Sequence, residues 1–356
     1  HIKNPYRGKT PDFADLKRLY PNLLGSYVRI NSSSGKGFID FTDTNANIAL
    51  TRTLLQHDFN INVTIPDNNL CPPLPNRINY LCWLSDLIDS LPPNQKTATN
   101  NNIPRILDIG VGPVGIYPIL GNKLFGWDFV GTDIDDSSVQ HCQQNINVNT
   151  PLNQAISIHH VEDCTTLQQD ILSKYLTNIP QSSVSSSLLH CTTAIGVAAP
   201  VLRGPVRQAL WYYYTYYTYY TYTYIHTYTS YIHTYCYYYF IICTTIPYTT
   251  VLFLFYSTIL SFYYYIQILP AEHTICTGST SEMRTLGGEV AFICAIIADS
   301  LILRDKVIWY TTMVGKKASL RVLLRILQQE GVPRSHIFTT RLRQGRTHRW
   351  CLAWTF

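Results

Sequence analysis

The residues best placed to do chemistry in this 356-residue chain run Arg105-Ile106-Leu107-Asp108-Ile109-Gly110-Val111-Gly112-Pro113-Val114-Gly115. An apolar, strand-like run ends in Gly-x-Gly-x-x-Gly and opens a helical stretch. Glycines there let backbone N–H groups and the start of a helix approach a ligand closely. Asp133 closes the next apolar run, about 20 residues after the turn, where an acid can hold ribose hydroxyls. Strand, glycine turn, helix and acid in register predict a site for an adenosine-containing cofactor.

The same geometry serves nicotinamide dinucleotides and S-adenosylmethionine, so other residues must decide. An acid two positions before the first glycine, Asp108, and the run Asp133-Ile134-Asp135-Asp136, leading into a helix that ends Asn145-Ile146-Asn147-Val148-Asn149, fit a methyltransferase. A positively charged sulfonium also suits an acidic pocket better than a pyrophosphate does. Asp108, Gly110, Gly112 and Asp133 are therefore candidate cofactor-binding residues. A NAD-linked oxidoreductase stays open on these residues alone.

The elements that must position them follow from hydrophobic periodicity. Thr10-Pro11 precedes Phe13, Leu16, Leu19 and Tyr20 at helical spacing, which predicts a short helix capped near Thr10. Helices are also predicted after Asp43 and over about 81–88, and strands at 105–109, 127–132 and 155–160. Further on come a helix at 289–303, a strand at 307–313, an amphipathic helix at 319–329 and a hairpin at 336–356 turning near Gln344-Gly345. Strands alternating with helices predict an α/β fold with a mostly parallel, Rossmann-like sheet and a C-terminal antiparallel hairpin.

Charge is distributed unevenly. From Arg304 onward eleven Lys or Arg face two acids, a net +9, and residues 1–30 carry +4, leaving −8 for the middle. Basic ends around an acidic middle suggest a polyanion gripped from two sides. The ten Cys form no C-x-x-C pair and no metal-ligand spacing, so no metal is expected, and reduced thiols in the nucleus and cytoplasm are. The first residues hold no apolar signal region, and the lack of an initiator Met suggests a fragment.

Residues 173–270 break the pattern. No Asp, Glu, Lys or Arg lies between Arg207 and Glu272, and 20 of the 27 Tyr fall between Tyr212 and Tyr265. Ile225-His226-Thr227-Tyr228 recurs as Ile232-His233-Thr234-Tyr235, and the tetranucleotide ATAC read in triplets encodes Ile-His-Thr-Tyr. A translated microsatellite, such as a retained intron, accounts for this anomalous low-complexity tract. The rival reading is a membrane segment at 240–270, weakened by its Thr residues, Pro247 and Gln267.

Seven segments in order carry a family resemblance: Pro11-Asp12-Phe13, Leu54-Leu55-Gln56-His57-Asp58-Phe59, Arg77-Ile78-Asn79-Tyr80, Leu107 to Gly112, Ile116-Tyr117-Pro118, Gly315-Lys316-Lys317 and Gln344-Gly345-Arg346-Thr347-His348-Arg349-Trp350. With them the chain resembles the RNA adenine-N6 methyltransferases related to methyltransferase-like protein 16 and bacterial RlmF, over about 1–172 and 277–356. The resemblance implies an S-adenosylmethionine-dependent methyltransferase fold acting on structured RNA, U6 small nuclear RNA or messenger hairpins. It adds Arg77 and Thr165 to the cofactor contacts. RNA contacts are implied at Thr10, Pro11, Asp12 and Phe13, at Gly315, Lys316, Lys317, Ala318 and Ser319, and at Gln344, Gly345, Arg346, Thr347, His348, Arg349 and Trp350. The implied regions are an N-terminal helical RNA-binding and cofactor-lid region at 1–90, a cofactor-binding half at 91–172, the anomalous tract at 173–276 and a C-terminal half at 277–356.

One signature of that family is missing. Asn-Pro-Pro-Phe, expected soon after Leu172, does not occur, and Asn178-Ile179-Pro180-Gln181 imitates it poorly. The exocyclic amine of adenine is delocalised into the ring and attacks a methyl group only when acceptors draw on its hydrogens. The Asn side chain and the next carbonyl supply those acceptors, and Phe stacks on the extruded base. Catalytic residues are therefore unassigned, and a catalytically silent RNA-binding protein is the second functional reading.

Overall fold

The structure is a computed structural model describing residues 1–67, 69–92, 103–161, 187–191, 288–344 and 347–356. Helix α1, Phe13–Leu19, is capped by Asp12, whose carboxylate accepts from the N–H groups of Ala14 and Asp15. Thr10 is thus not the cap: the chain enters the helix two residues later, where a carboxylate also meets the positive end of the helix dipole. After α2, Pro21–Leu24, come two short strands unforeseen in the sequence, β1, Val28–Ile30, and β2, Gly37–Ile39, paired antiparallel. Helix α3, Thr44–Phe59, is capped by Asp43 and ends at Asn60 in the left-handed conformation. Helix α4, Leu74–Asp89, begins seven residues before the expected start, because Pro73 and Pro75 tolerate a first helical turn.

The cofactor half follows as β3, Arg105–Ile109; α5, Ile116–Phe125; β4, Asp128–Asp133; α6, Asp136–Asn147; α7, Leu152–Ala155; and β5, Ile156–His160. Strand β6 is Ser187–Cys191. The C-terminal part is α8, Gly288–Leu303; β7, Trp309–Val314; α9, Lys317–Gln329; β8, Ile337–Gln344; and β9, Thr347–Trp354. The sheet order is β5-β4-β3-β6-β7-β9-β8, with β3, β4, β5, β6 and β7 parallel and β9 antiparallel to both neighbours. Strand β6 lies inside the segment set apart at 173–276, so that boundary needs correction: the sheet takes a central strand from it.

Continuous apolar runs explain the burial. Ile106, Leu107 and Ile109 of β3 and Phe129 and Val130 of β4 are buried, as parallel strands covered on both faces require. One apolar cluster runs from Leu16 and Leu24 through α3 and α4 to Ile106, Tyr117, Phe129 and Cys351. The N-terminal helices are therefore continuous with the core under the sheet, and α4 lies against α5. Among the described residues no helix is long and apolar enough to cross a membrane; residues 240–270 lie outside them.

Candidate cofactor site and RNA-facing loops

Strand order reverses at β3: β4 lies on one side and β6 on the other. Ligands of open α/β sheets sit beyond the carboxyl ends of the strands at such a switch point. The glycine turn leaves β3 there. Gly110, Gly112 and Gly115 all have positive φ. A Cβ on Gly112 would meet nothing within 4 Å, so the turn offers bare backbone on its open side. At Gly115 a Cβ would come within 2.5 Å of Cys142 Sγ, so the third glycine lets α6 pack against the turn.

Asp133, at the end of β4, is tied to this turn. Its carboxylate accepts from Gly112 N–H at 2.9 Å and from Asp135 N–H at 3.0 Å. Burial pushes its carboxyl above the usual carboxylate range, against the lowering effect of those two N–H groups. Asp108 is fully buried at the end of β3. Its charge adds to the burial that raises the Tyr117 hydroxyl and the Cys142 thiol.

Arg77, the fourth residue of α4, lies against Tyr117 of α5. Its Nη1 donates to Tyr117 Oη at 3.0 Å, and its guanidinium lies 5.4 Å from the centre of the Tyr117 ring. Tyr117 is fixed in turn by the Tyr80 ring at 5.7 Å, and Tyr80 donates to Thr311 Oγ1 at 3.0 Å. Arg77 Nε is buried, and no hydrogen bond reaches it among the described residues. A desolvated guanidinium N–H is costly unless it meets an acceptor, and a ligand carboxylate is a matching one. Bare glycine backbone, a ribose-type acid and this guanidinium fit S-adenosylmethionine, with its hydroxyls and terminal carboxylate.

Of the expected cofactor residues the structure thus groups Arg77, Asp108, Gly110, Gly112 and Asp133, while Thr165 lies outside the described residues. Among the described residues no group of three His, Cys, Asp or Glu could hold a metal.

The residues expected to contact RNA fall into three places. Thr10 and Asp12 are exposed. Phe13 is half-buried against Phe41, ring centres 6.2 Å apart. Lys316, Lys317 and Ala318 are exposed at the start of α9. Glu289, in the first turn of α8, accepts from Gly315 N–H at 2.8 Å and Lys316 N–H at 3.1 Å. The Gly315 and Lys316 amides of this turn are thus taken up by a carboxylate. Ser319 is 8% exposed on the inner face of α9 with Leu320 and Leu323 and is not offered to RNA.

Arg349 on β9 is exposed, and His348 and Trp350 are half-buried. Gly345 and Arg346 lie outside the described residues, as do the side chains of Gln344 and Thr347. The register pairs Arg341 with Trp350 and Arg343 with His348. Two exposed arginines of β8 therefore share a face with His348 and Trp350, whereas Arg349, opposite Leu342, lies on the other face. Sequence reading missed Arg341 and Arg343, although their alternation around buried Leu342 was the available signal.

A parallel sheet with one antiparallel strand near its edge, and an adenosine-type site at its switch point, defines a Rossmann-like methyltransferase fold. The sequence model of a family described as RNA methyltransferase matches residues 1–177 and 267–356. The chain belongs to that RNA methyltransferase family. It is 34% identical, over its whole length and 55% of the relative's, to the U6 small nuclear RNA (adenine-(43)-N(6))-methyltransferase of Dictyostelium discoideum. It is 30% identical to the RNA N(6)-adenosine-methyltransferase METTL16 of Homo sapiens, over 50% of that protein. The chain thus spans about half the length of the curated relatives it matches. Among solved structures it resembles the hMettl16 catalytic domain in complex with MAT2A 3′UTR hairpin 1, with TM-score 0.68, 30% identity and coverage of 100% of this chain and 95% of that one. It also resembles the N-terminal domain of human METTL16 in complex with SAH, with TM-score 0.63, 28% identity and coverage of 100% and 98%.

Proposed function

We propose that this chain is the cofactor- and RNA-binding frame of an S-adenosylmethionine-dependent RNA adenine-N6 methyltransferase that acts on structured RNA of the U6 or messenger-hairpin kind. The observation that carries the reading is the Arg77 guanidinium, held against Tyr117 in the helix that follows the glycine turn, with a buried Nε that no hydrogen bond reaches among the described residues and that a ligand carboxylate would match. A dinucleotide offers pyrophosphate there and no carboxylate, and family membership sets the NAD-linked reading aside. When bound, S-adenosylmethionine supplies a methyl group on a positively charged sulfur. Asp133 accepts from the ribose hydroxyls, and Gly112 N–H holds the acid in place. Arg77 takes the terminal carboxylate, and Asp108 and Asp133 favour the cation over its neutral product. Lys316, Lys317, Arg341, Arg343 and Arg349 supply positive charge to the RNA backbone. Residence in the nucleus and cytoplasm, where such RNAs are found, fits the free cysteines among the described residues.

Residues 192–266, which follow β6, are proposed to be foreign to the working protein. The family model leaves out 178–266, a stretch that holds the tetranucleotide repeat and carries no charged residue after Arg207. Cys191 ends β6, the strand after which Asn-Pro-Pro-Phe is expected, and the sequence continues Thr192-Thr193-Ala194-Ile195 instead. The test is transfer of tritium from labelled S-adenosylmethionine to a hairpin RNA. The chain with its present sequence should bind both partners and transfer no label, and a version with Asn-Pro-Pro-Phe following that strand should transfer it. Label transfer by the unaltered chain would overturn the silent-frame reading.

A further inference from the structure

We infer that Asn145 is a positioning residue that fixes the cofactor turn relative to the segment carrying Arg77; the inference rests on the cofactor site proposed above. Residues 61–65, which join α3 to the approach of α4, run in an extended form, with Ile61, Val63 and Ile65 buried and Asn62 and Thr64 exposed. No strand pairs with the outward backbone groups of this strap among the described residues. Asn145, in the last turn of α6, and Asn149, just past its end, do so instead. Asn149 Oδ1 accepts from Asn62 N–H at 2.8 Å, and its Nδ2 donates to Asn62 O at 2.6 Å. Asn145 Oδ1 accepts from Thr64 N–H at 2.8 Å, and its Nδ2 donates to Thr64 O at 3.0 Å.

The two differ in one respect. Asn145 Nδ2 also donates to Pro113 O, at 3.2 Å, inside the glycine turn, whereas the second donor of Asn149 goes back to Asn145 O, at 2.6 Å, in the last turn of α6. Thr64 Oγ1 also reaches Asn145 Oδ1, at 3.2 Å, so both lone pairs and both N–H groups of Asn145 are used. Asn145 is 2% exposed. Thr64 keeps a second partner, His141 Nε2, 2.8 Å from its Oγ1 and 3.1 Å from its carbonyl. The Pro113 carbonyl accepts no other hydrogen bond among the described residues.

Asn145 thus ties three pieces together. The strap continues into α4 and Arg77, Pro113 neighbours Gly112, and Gly112 N–H orients Asp133. Beside the Arg77–Tyr117 hydrogen bond, this amide is a second tie between the carboxylate-binding and ribose-binding ends of the site.

The experiment compares Asn145→Ala with Asn149→Ala by calorimetric titration of S-adenosylhomocysteine, with the melting temperature of each and of the Arg77→Ala combinations. Both variants lose a strap clamp, so both should melt at lower temperature. Asn145→Ala should raise the Kd about tenfold and Asn149→Ala at most about twofold, and only Asn145→Ala should be non-additive with Arg77→Ala. Asn145→Asp, which keeps shape and acceptors but lacks the donors, should repeat the loss if the alanine variant does not fold. Equal changes at 145 and 149, additivity with Arg77→Ala, or unchanged affinity in Asn145→Asp would overturn the inference. Failure of the unmutated chain to bind S-adenosylhomocysteine would overturn the cofactor reading, and this inference with it.

Discussion

Asp133 shows how much one carboxylate can carry. Burial raises its carboxyl in the folded chain, so the folded state holds the proton to a higher pH than the unfolded state, whose carboxyl titrates near about 3.9. Between those two values the unliganded protein loses stability as pH rises, because ionisation is then easier in the unfolded chain. Ribose hydroxyls are held by the ionised form, so affinity for S-adenosylhomocysteine should rise across the same window. Denaturant unfolding and titration at stepped pH check both slopes, and Asp133→Asn should flatten them together. A flat affinity profile would take the ribose role from Asp133. Glu289 makes a second prediction: loss in Glu289→Ala of the carboxylate that accepts from the Gly315 and Lys316 N–H groups should cost about 1–2 kcal/mol of stability, read as a lower denaturation midpoint. Unchanged stability would mean that water serves those amides as well. These roles were legible to different degrees. Asp133 and Gly112 stood out by spacing and Arg77 by resemblance, while Glu289 and Asn145 bond across the fold to residues remote in sequence and left no local motif.

At the scale of elements, β3, β4 and β5 and the C-terminal hairpin were legible because apolar runs bounded by turn residues have few other readings. The β1–β2 pair was not, since three-residue strands around Ser32-Ser33-Ser34-Gly35 carry too little alternation to separate from a loop. The start of α4 was hidden because prolines usually mark a boundary, yet both are tolerated before the first helical hydrogen bonds form. Strand β6 was missed because Ser187–Cys191 sits in a serine-rich stretch where composition pointed away from order. The hairpin gives the prediction at this scale. Arg341→Ala and Arg349→Ala should each weaken binding of a hairpin RNA and lower the slope of log affinity against log salt by roughly 0.7–0.9 for each phosphate left without its arginine. Binding at several salt concentrations reads that slope, and wild-type slopes in both variants would make the hairpin ordinary solvated surface.

For the whole molecule, the sheet needs a strand between β3 and β7, and the family signature belongs directly after it. This chain fills that position from a segment whose repeat decodes as ATAC and which the family model omits. Amplification of the transcript across codons 173–276 should therefore give a shorter product encoding Asn-Pro-Pro-Phe in frame. Tryptic peptides from the Tyr-rich tract in native protein would show instead that the tract belongs. The cofactor site stands apart from that outcome, because Arg77, Tyr117, the glycine turn and Asp133 all lie before the tract. The most direct test of the account is calorimetric titration of the unmutated chain and Arg77→Ala with S-adenosylhomocysteine and, separately, with NADH. The account predicts one S-adenosylhomocysteine per chain, an affinity lower by about 2 kcal/mol in Arg77→Ala, as expected for a lost charged hydrogen bond, and no heat from NADH. NADH binding, or S-adenosylhomocysteine binding that is indifferent to Arg77, would contradict it.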